Sequence, residues 1–236
     1  MLFAYDRQVL ADADLAAVAA LMGDGNRASI LLALLGGEEL PARELAARAD
    51  ASSSLASAHL RKLTDGGLLV AERRGRGRYY RLTDGHVADA IEALLAIAPQ
   101  RRARSLRESN RGEAIRHART CYDHLAGELG VALTDSLEHH GLIGAHDDGY
   151  PLTPTGEQRL RALGIDVESL RSRSRTLTRP CLDWTERRPH LAGSLGAALA
   201  SRLLDLDWIR RRQDTRAVTI TETGRRQLRA QLAVNL

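Results

Sequence analysis

Lysine is almost absent from this chain of 236 residues: Lys62 stands alone, and every other basic side chain apart from histidine is an arginine. Aromatic residues make up only 3%, with one phenylalanine, and there are two cysteines. So few rings argue against a platform on which the bases of a single strand would stack. Two cysteines are too few for the disulfide framework of a small secreted domain. No apolar run is long enough to span a bilayer, since the stretches at 30–35 and 87–98 are short or broken by charge. The opening MLFAYDRQVLADADL places acids where a secretion signal needs an unbroken apolar segment. A cytoplasmic protein with no membrane partner is expected. The net charge of +4 is modest, so the positions of the arginines matter more than their number.

The chain is longer than one domain usually is, so two units, each with its own core, are expected. Within residues 1–98, apolar spacing predicts helices over 10–22, 26–35, 41–49 and 53–65. Gly23 to Gly25, Gly36-Gly37 and Gly66-Gly67 punctuate them, and Pro41 sits where a first helical turn tolerates proline. The following LLVAERRGRGRYYRLT holds two strand-like runs around Gly75-Arg76-Gly77, a hairpin signal. Helices followed by a basic hairpin predict a winged helix-turn-helix. The fold class expected for the whole chain is mainly α with small β-hairpin wings.

In SSSLASAHLRKLTDGG, one of Ser52, Ser53 or Ser54 is expected to cap the helix, with Leu55, Leu60 and Leu63 facing the core. That assigns Ser53, Ser54, Ser57, Ala58, His59, Arg61 and Lys62 to the outer face or its margins. Small hydroxyls allow close approach to a DNA groove, and the cations neutralise phosphates. Arg73, Arg74, Arg76 and Arg78 place four guanidinium groups on the hairpin, as a wing lying along a phosphate ridge requires. A solvated basic surface would carry the same charges, but the helix-turn-helix ahead of the wing favours DNA binding.

The stretch from Asp24 to Thr83, above all SxHLxxLxxxGLL followed by the basic wing and YxL, resembles the DNA-binding domain of ArsR/SmtB-type transcriptional regulators. The resemblance covers about residues 12 to 98. It implies a homodimer held by the first helix and the helix at 87–98, two recognition helices on a palindromic double-stranded operator, and repression relieved by a signal. The family's metal sites do not carry over. Where some members place a cysteine pair, this chain reads PARELAARAD. Asp84 and His86 match the start of a second ligand pattern, but Ile97 and Gln100 occupy its later positions. Asp84 reads more simply as a helix N-cap and His86 as an exposed first-turn residue.

Residues 99–112, PQRRARSLRESNRG, read as a linker, leaving 113–236 as a second domain. This domain repeats itself. HLAGELGVAL at 124–133 returns as HLAGSLGAAL at 190–199, and LTPTGEQRLRA at 152–162 as ITETGRRQLRA at 220–230. Two degenerate winged-helix-like copies, about 121–163 and 187–231, are expected, each running helix, helix, variable hairpin, helix. Leu125, Leu129 and Leu133, with Leu191, Leu195 and Leu199, form a core stripe.

Each cysteine precedes a copy's shared histidine, Cys121 by three residues and Cys181 by nine. If pseudo-symmetry joins the copies, Cys121, His124, Cys181 and His190 make a four-ligand site for zinc or another soft metal. His117, Cys121 and His124 also have the spacing of one helical face. Packing of small buried cysteines, an organic effector pocket, haem ligation or a redox disulfide are the alternatives. The function expected is a dimeric, sequence-specific repressor whose second half senses a small-molecule or metal signal. The alternative is a DNA-binding module fused to an enzyme or metal-storage domain that uses the same four residues, with Cys121 and His124 as nucleophile and base. No nucleophile elbow, phosphate loop or acid pair accompanies them.

Overall fold

The structure is a computed structural model in which residues 13–99, 101–144, 149–172, 174–213 and 215–236 are described. The start of the expected first helix, residues 10–12, lies outside them. From there α1 (Leu15–Met22) is capped by Asp14 and α2 (Gly25–Leu34) by Asp24, each carboxylate accepting a backbone N–H of the first turn. A short β1 (Leu40–Pro41) leads into α3 (Ala42–Arg48), and α4 covers Ser53–Asp65. Ser52 is the residue that caps α4, accepting from Leu55 N.

The hairpin follows as β2 (Leu69–Arg74) and β3 (Gly77–Leu82), turning at Gly75-Arg76, with Arg73 opposite Arg78. β1 joins its other edge, giving the order β1-β3-β2. The helix expected at 87–98 is α5 (Gly85–Ile97), capped by Asp84, and His86 is exposed. Ile30, Leu34, Leu45, Leu60, Leu63 and Leu82 are buried between these elements. Burying each large aliphatic side chain stabilises by about 1.5–3 kcal/mol, so packing rather than propensity holds these short helices.

The segment read as a linker is helical in its second half. Ser105 caps a new helix, α6 (Leu106–His117), which runs into the second domain. Apolar periodicity does not reveal this helix, because no residue of α6 is buried.

The repeat is present but ordered differently from the sequence reading. Each copy opens with a hairpin, not a helix. In the first copy β4 (Arg119–Cys121) and β5 (His124–Ala126) precede α7 (Gly127–His139), an isolated bridge between Ile143 and Leu152, and α8 (Pro154–Ala162). A short α9 (Val167–Arg171) leads to the second copy. There β6 (Arg179–Leu182) and β7 (Pro189–Ala192) precede α10 (Gly193–Asp205), the hairpin β8 (Ile209–Arg211) and β9 (Val218–Ile220), and α11 (Glu222–Leu232). The histidine-bearing segments are therefore strands that turn into helices. The turn is made at Gly127 and Gly193, whose φ values of +76° and +87° suit glycine. Cys121 and His124 accordingly sit on two strands rather than one helical face. His117 lies apart, paired with Glu128.

The six repeated leucines are buried in one core shared by both copies, together with Leu137, Leu203 and Trp208. Thr153 and Thr221 cap α8 and α11 identically, each accepting from the glycine three residues on. No single described helix is long and apolar enough to cross a membrane.

Candidate nucleic-acid interface and a buried Cys-His cluster

On α4, successive residues rotate by about 100°. Ala56, Leu60 and Leu63 define the inward stripe and are buried. Ser53, Ser54, Ser57, Ala58, Arg61 and Lys62 are exposed, as expected. Two expectations fail. Leu55, expected in the core, is 43% exposed, and His59, expected on the outer face, is 7% exposed. At about 100° per residue His59 lies about 40° beyond Leu63, at the edge of the inward stripe, which takes it in. Its Nδ1 lies 3.8 Å from the Asp24 carboxylate, the N-cap of α2. His59 is a structural residue beneath the exposed face of the helix.

On the wing, Arg73, Arg74, Arg76 and Arg78 are exposed. They are not equivalent. Arg74 is ion-paired with Glu39 and Glu72 and stacks over Tyr79 at 5.7 Å. Hydrogen bonding to Glu72 holds its guanidinium pKa further up. Arg73 and Arg78 face each other across the hairpin, and a like-charged cross-strand pair is unfavourable unless an anion lies against it.

The second feature is buried. Register places Cys121 opposite His124 in the first hairpin and Cys181 opposite His190 in the second. The two hairpins meet so that all four ligand atoms lie within 4.8 Å of one another, every residue buried. The sulfurs are 3.9 Å apart and the two Nε2 atoms 3.1 Å apart. Close approach depends on glycine: a Cβ on Gly196 would come within 3.2 Å of the Cβ of His124 and 2.5 Å of the Leu191 carbonyl oxygen.

Residues 22–72 match the sequence family described as a helix-turn-helix domain. Over 212 residues, 90% of this chain and 94% of the relative, the sequence is 44% identical to the uncharacterised HTH-type transcriptional regulator YdfF of Bacillus subtilis (strain 168). This chain belongs to the HTH-type transcriptional regulators. The relationship makes it a transcriptional regulator with a helix-turn-helix DNA-binding domain. Among solved structures, the cadmium metal-sensor CmtR of Mycobacterium tuberculosis is 34% identical with a TM-score of 0.32, the match covering 39% of this chain and 94% of that one. The homodimeric winged helix-turn-helix domain of Mb0332 from Mycobacterium bovis, a possible ArsR-family regulator, is 28% identical with a TM-score of 0.32, covering 37% and 88%.

In this regulator the cluster is embedded in charge. Nδ1 of His124 is 3.2 Å from the Asp123 carboxylate, which Arg175 clamps from outside. Nδ1 of His190 is 3.6 Å from Asp183, a fully buried carboxylate. Asp183 accepts hydrogen bonds from Arg119 Nη2 at 2.9 Å, Gly127 N at 2.6 Å, Thr185 N and Oγ1, and Glu186 N. Burial alone would raise its carboxyl; Arg119 and those donors outweigh burial and hold it well below the usual range. The bond from Cys121, assisted by the two imidazoles, drives the Cys181 thiol down against burial. Its partner Cys121, hydrogen-bonded to that sulfur and buried, is pushed up. Burial would lower His124, yet Asp123 and the Cys181 sulfur raise it.

Sequence reasoning missed the charges that join the domains. Arg119, wholly buried, lies 4.0 Å from Glu92 of α5 while holding Asp183. Arg216 pairs with the other oxygen of Glu92, and Arg179 pairs with Asp89 at 2.7 Å. Arg187 donates to the Ala96 carbonyl. Backbone contacts add to these: Tyr122 N donates to Leu35 O at 2.7 Å. The hint in sequence was the pair of acids, Asp89 and Glu92, within the apolar run at 87–98.

Proposed function

We propose that this regulator is a cytoplasmic homodimeric repressor that reads a palindromic double-stranded operator and releases it when the C-terminal domain receives a signal. In this reading α4 enters the major groove, with Ser53, Ser54, Ser57 and Ala58 allowing close approach, and Arg61 and Lys62 meeting phosphates. Arg73, Arg76 and Arg78 lie along the flanking backbone, and Arg74 holds the wing in shape through its acidic partners. The single observation that carries the proposal is that small hydroxyls stand exposed on α4 and those arginines stand exposed on the hairpin that follows it.

Two observations support the remaining parts. α1 has no buried residue, with Leu15 78% exposed, and α5 presents Ile97 at 81%. Apolar side chains so placed suit burial against a second copy. Glu92, Asp89 and Ala96, all on α5, take the charged contacts from the C-terminal domain, so the helix that would form the dimer is also the one the second domain grips.

Fluorescence anisotropy with DNA from upstream of the regulator's own gene tests this. Specific binding should exceed that to a shuffled duplex by about 10³-fold or more, on the order of known specific sites. Arg73→Ala/Arg78→Ala should weaken binding to both duplexes about equally, whereas Ser57 or Ala58 variants should change the ratio. Wild-type affinity in the double-arginine variant would remove the wing from the interface.

A further inference from the structure

The convergence of the two hairpins points to a new metal site: we propose that Cys121, His124, Cys181 and His190 bind one soft divalent ion of the zinc class per chain. Around a tetrahedral ion with Zn–S of about 2.3 Å and Zn–N of about 2.0–2.1 Å, two sulfurs stand about 3.8 Å apart and two nitrogens about 3.3–3.4 Å apart. The chain places its sulfurs at 3.9 Å and its Nε2 atoms at 3.1 Å. A disulfide requires about 2.05 Å between the sulfurs, so the spacing is that of two ligands on one ion rather than two bonded atoms.

The outer groups agree. A ligating imidazole donates its second nitrogen to a carboxylate or carbonyl, which fixes the tautomer and aims the lone pair at the metal. His124 Nδ1 has Asp123 at 3.2 Å and His190 Nδ1 has Asp183 at 3.6 Å, leaving both Nε2 atoms directed at the same point. His190 Nδ1 is buried without a hydrogen-bond partner. Donating fully to Asp183 as the ring settles on an ion would satisfy it. Without an ion, two buried Nε2 atoms 3.1 Å apart share at most one proton between neutral rings.

Donor chemistry selects the ion. Two thiolates and two imidazoles suit zinc, cadmium or cobalt and disfavour magnesium and calcium, which take oxygen. Four protein ligands around a point leave no open position for a reacting water, so the ion would organise the domain rather than catalyse. They also leave no plane for a porphyrin. The two thiolate charges would balance the ion, giving a neutral buried centre. Because each hairpin contributes one cysteine and one histidine, the ion would tie the two copies of the repeat together. The repeat would then supply equivalent halves of one ligand set.

The test uses the full chain, stripped with a chelator and kept reduced, titrated with Co(II) and dialysed against Zn(II). One equivalent should bind, with the intense visible bands of tetrahedral cobalt and a thiolate charge-transfer band, and zinc should displace the cobalt. Cys181→Ala should lower affinity by about 100-fold or more, Asp123→Asn by about 10–100-fold, and His139→Ala, outside the cluster, should leave it unchanged. A reduced wild-type chain that binds less than a tenth of an equivalent, or gives the pale spectrum of six oxygen ligands, overturns the site. So does affinity that survives Cys181→Ala. The wild-type spectrum decides the matter even if that variant does not fold. None of these readouts involves DNA, so the site stands or falls separately from the repressor reading.

Discussion

Replacing Glu92 by glutamine removes one charge from the seam between the domains. The Glu92 side chain is 3% exposed, Arg216 7% and Arg119 not at all. Deleting one partner of a buried ion pair costs about 3–5 kcal/mol because the other charge is left without compensation. Glutamine keeps the shape and one acceptor, and Arg119 retains Asp183, so the loss should lie at the lower end, about 3 kcal/mol. For a chain of this size each kcal/mol moves Tm by about 2–4 °C, so a fall of about 6–12 °C should appear in calorimetry. Because the group is buried, the deficit should persist in about 1 M salt, where exposed pairs are screened within a few ångströms. The surface pair Asp207–Arg210 provides the contrast: Asp207→Asn, at a solvent-screened pair, should leave Tm close to that of the wild type. A Glu92→Gln variant within about 1 kcal/mol of wild type would refute the idea that this carboxylate locks the second domain onto α5.

Three further outcomes concern other parts of the chain. Gly196→Ala forces a methyl to 2.5 Å from the Leu191 carbonyl oxygen, so it should destabilise by about 1–3 kcal/mol or more in urea denaturation. Tyr150 is buried and its phenol is pushed up to about 12 by desolvation, with Glu138 and Asp135 adding to the effect. Its folded pKa exceeds the unfolded value of about 10, so its contribution to stability is whole below about pH 10 and lost as pH rises toward about 12. Tyr150→Phe should flatten that alkaline decline in stability. In salt titrations of DNA binding, Arg73→Ala/Arg78→Ala should reduce the slope of log K against log salt by about 2, roughly one unit for each phosphate no longer neutralised.

Much of the DNA-binding half was legible because its signals are local. The serines at 52–54 ahead of a periodic run marked the start of α4, and Gly75-Arg76-Gly77 marked the wing turn. His59 escapes a reading in which leucines mark the core, because Ala56 occupies the centre of the stripe. In the second half the duplication was plain, but strands of three or four residues carry too little alternation to be told from a helix start. The Cys-His pairing is weak in sequence because the separations are three and nine residues. The structure explains the mismatch: the first hairpin turns through Tyr122-Asp123, the second through 183–188, and the cross-strand register is the same. The Arg119–Glu92–Arg216 contacts had no local signature, since their partners are separated by up to 124 residues.

The central claim, that α4 and the wing make one surface fitted to duplex DNA, is tested most directly by hydroxyl-radical footprinting upstream of the regulator's own gene. A dimer reading two half-sites should protect two backbone patches with centres about one helical turn, roughly 10–10.5 base pairs, or a multiple of it, apart. Substituting Ser57 should erase protection there while leaving weak uniform binding. Protection that is uniform along the duplex with the wild-type chain, or unaltered by changes on α4, would contradict it.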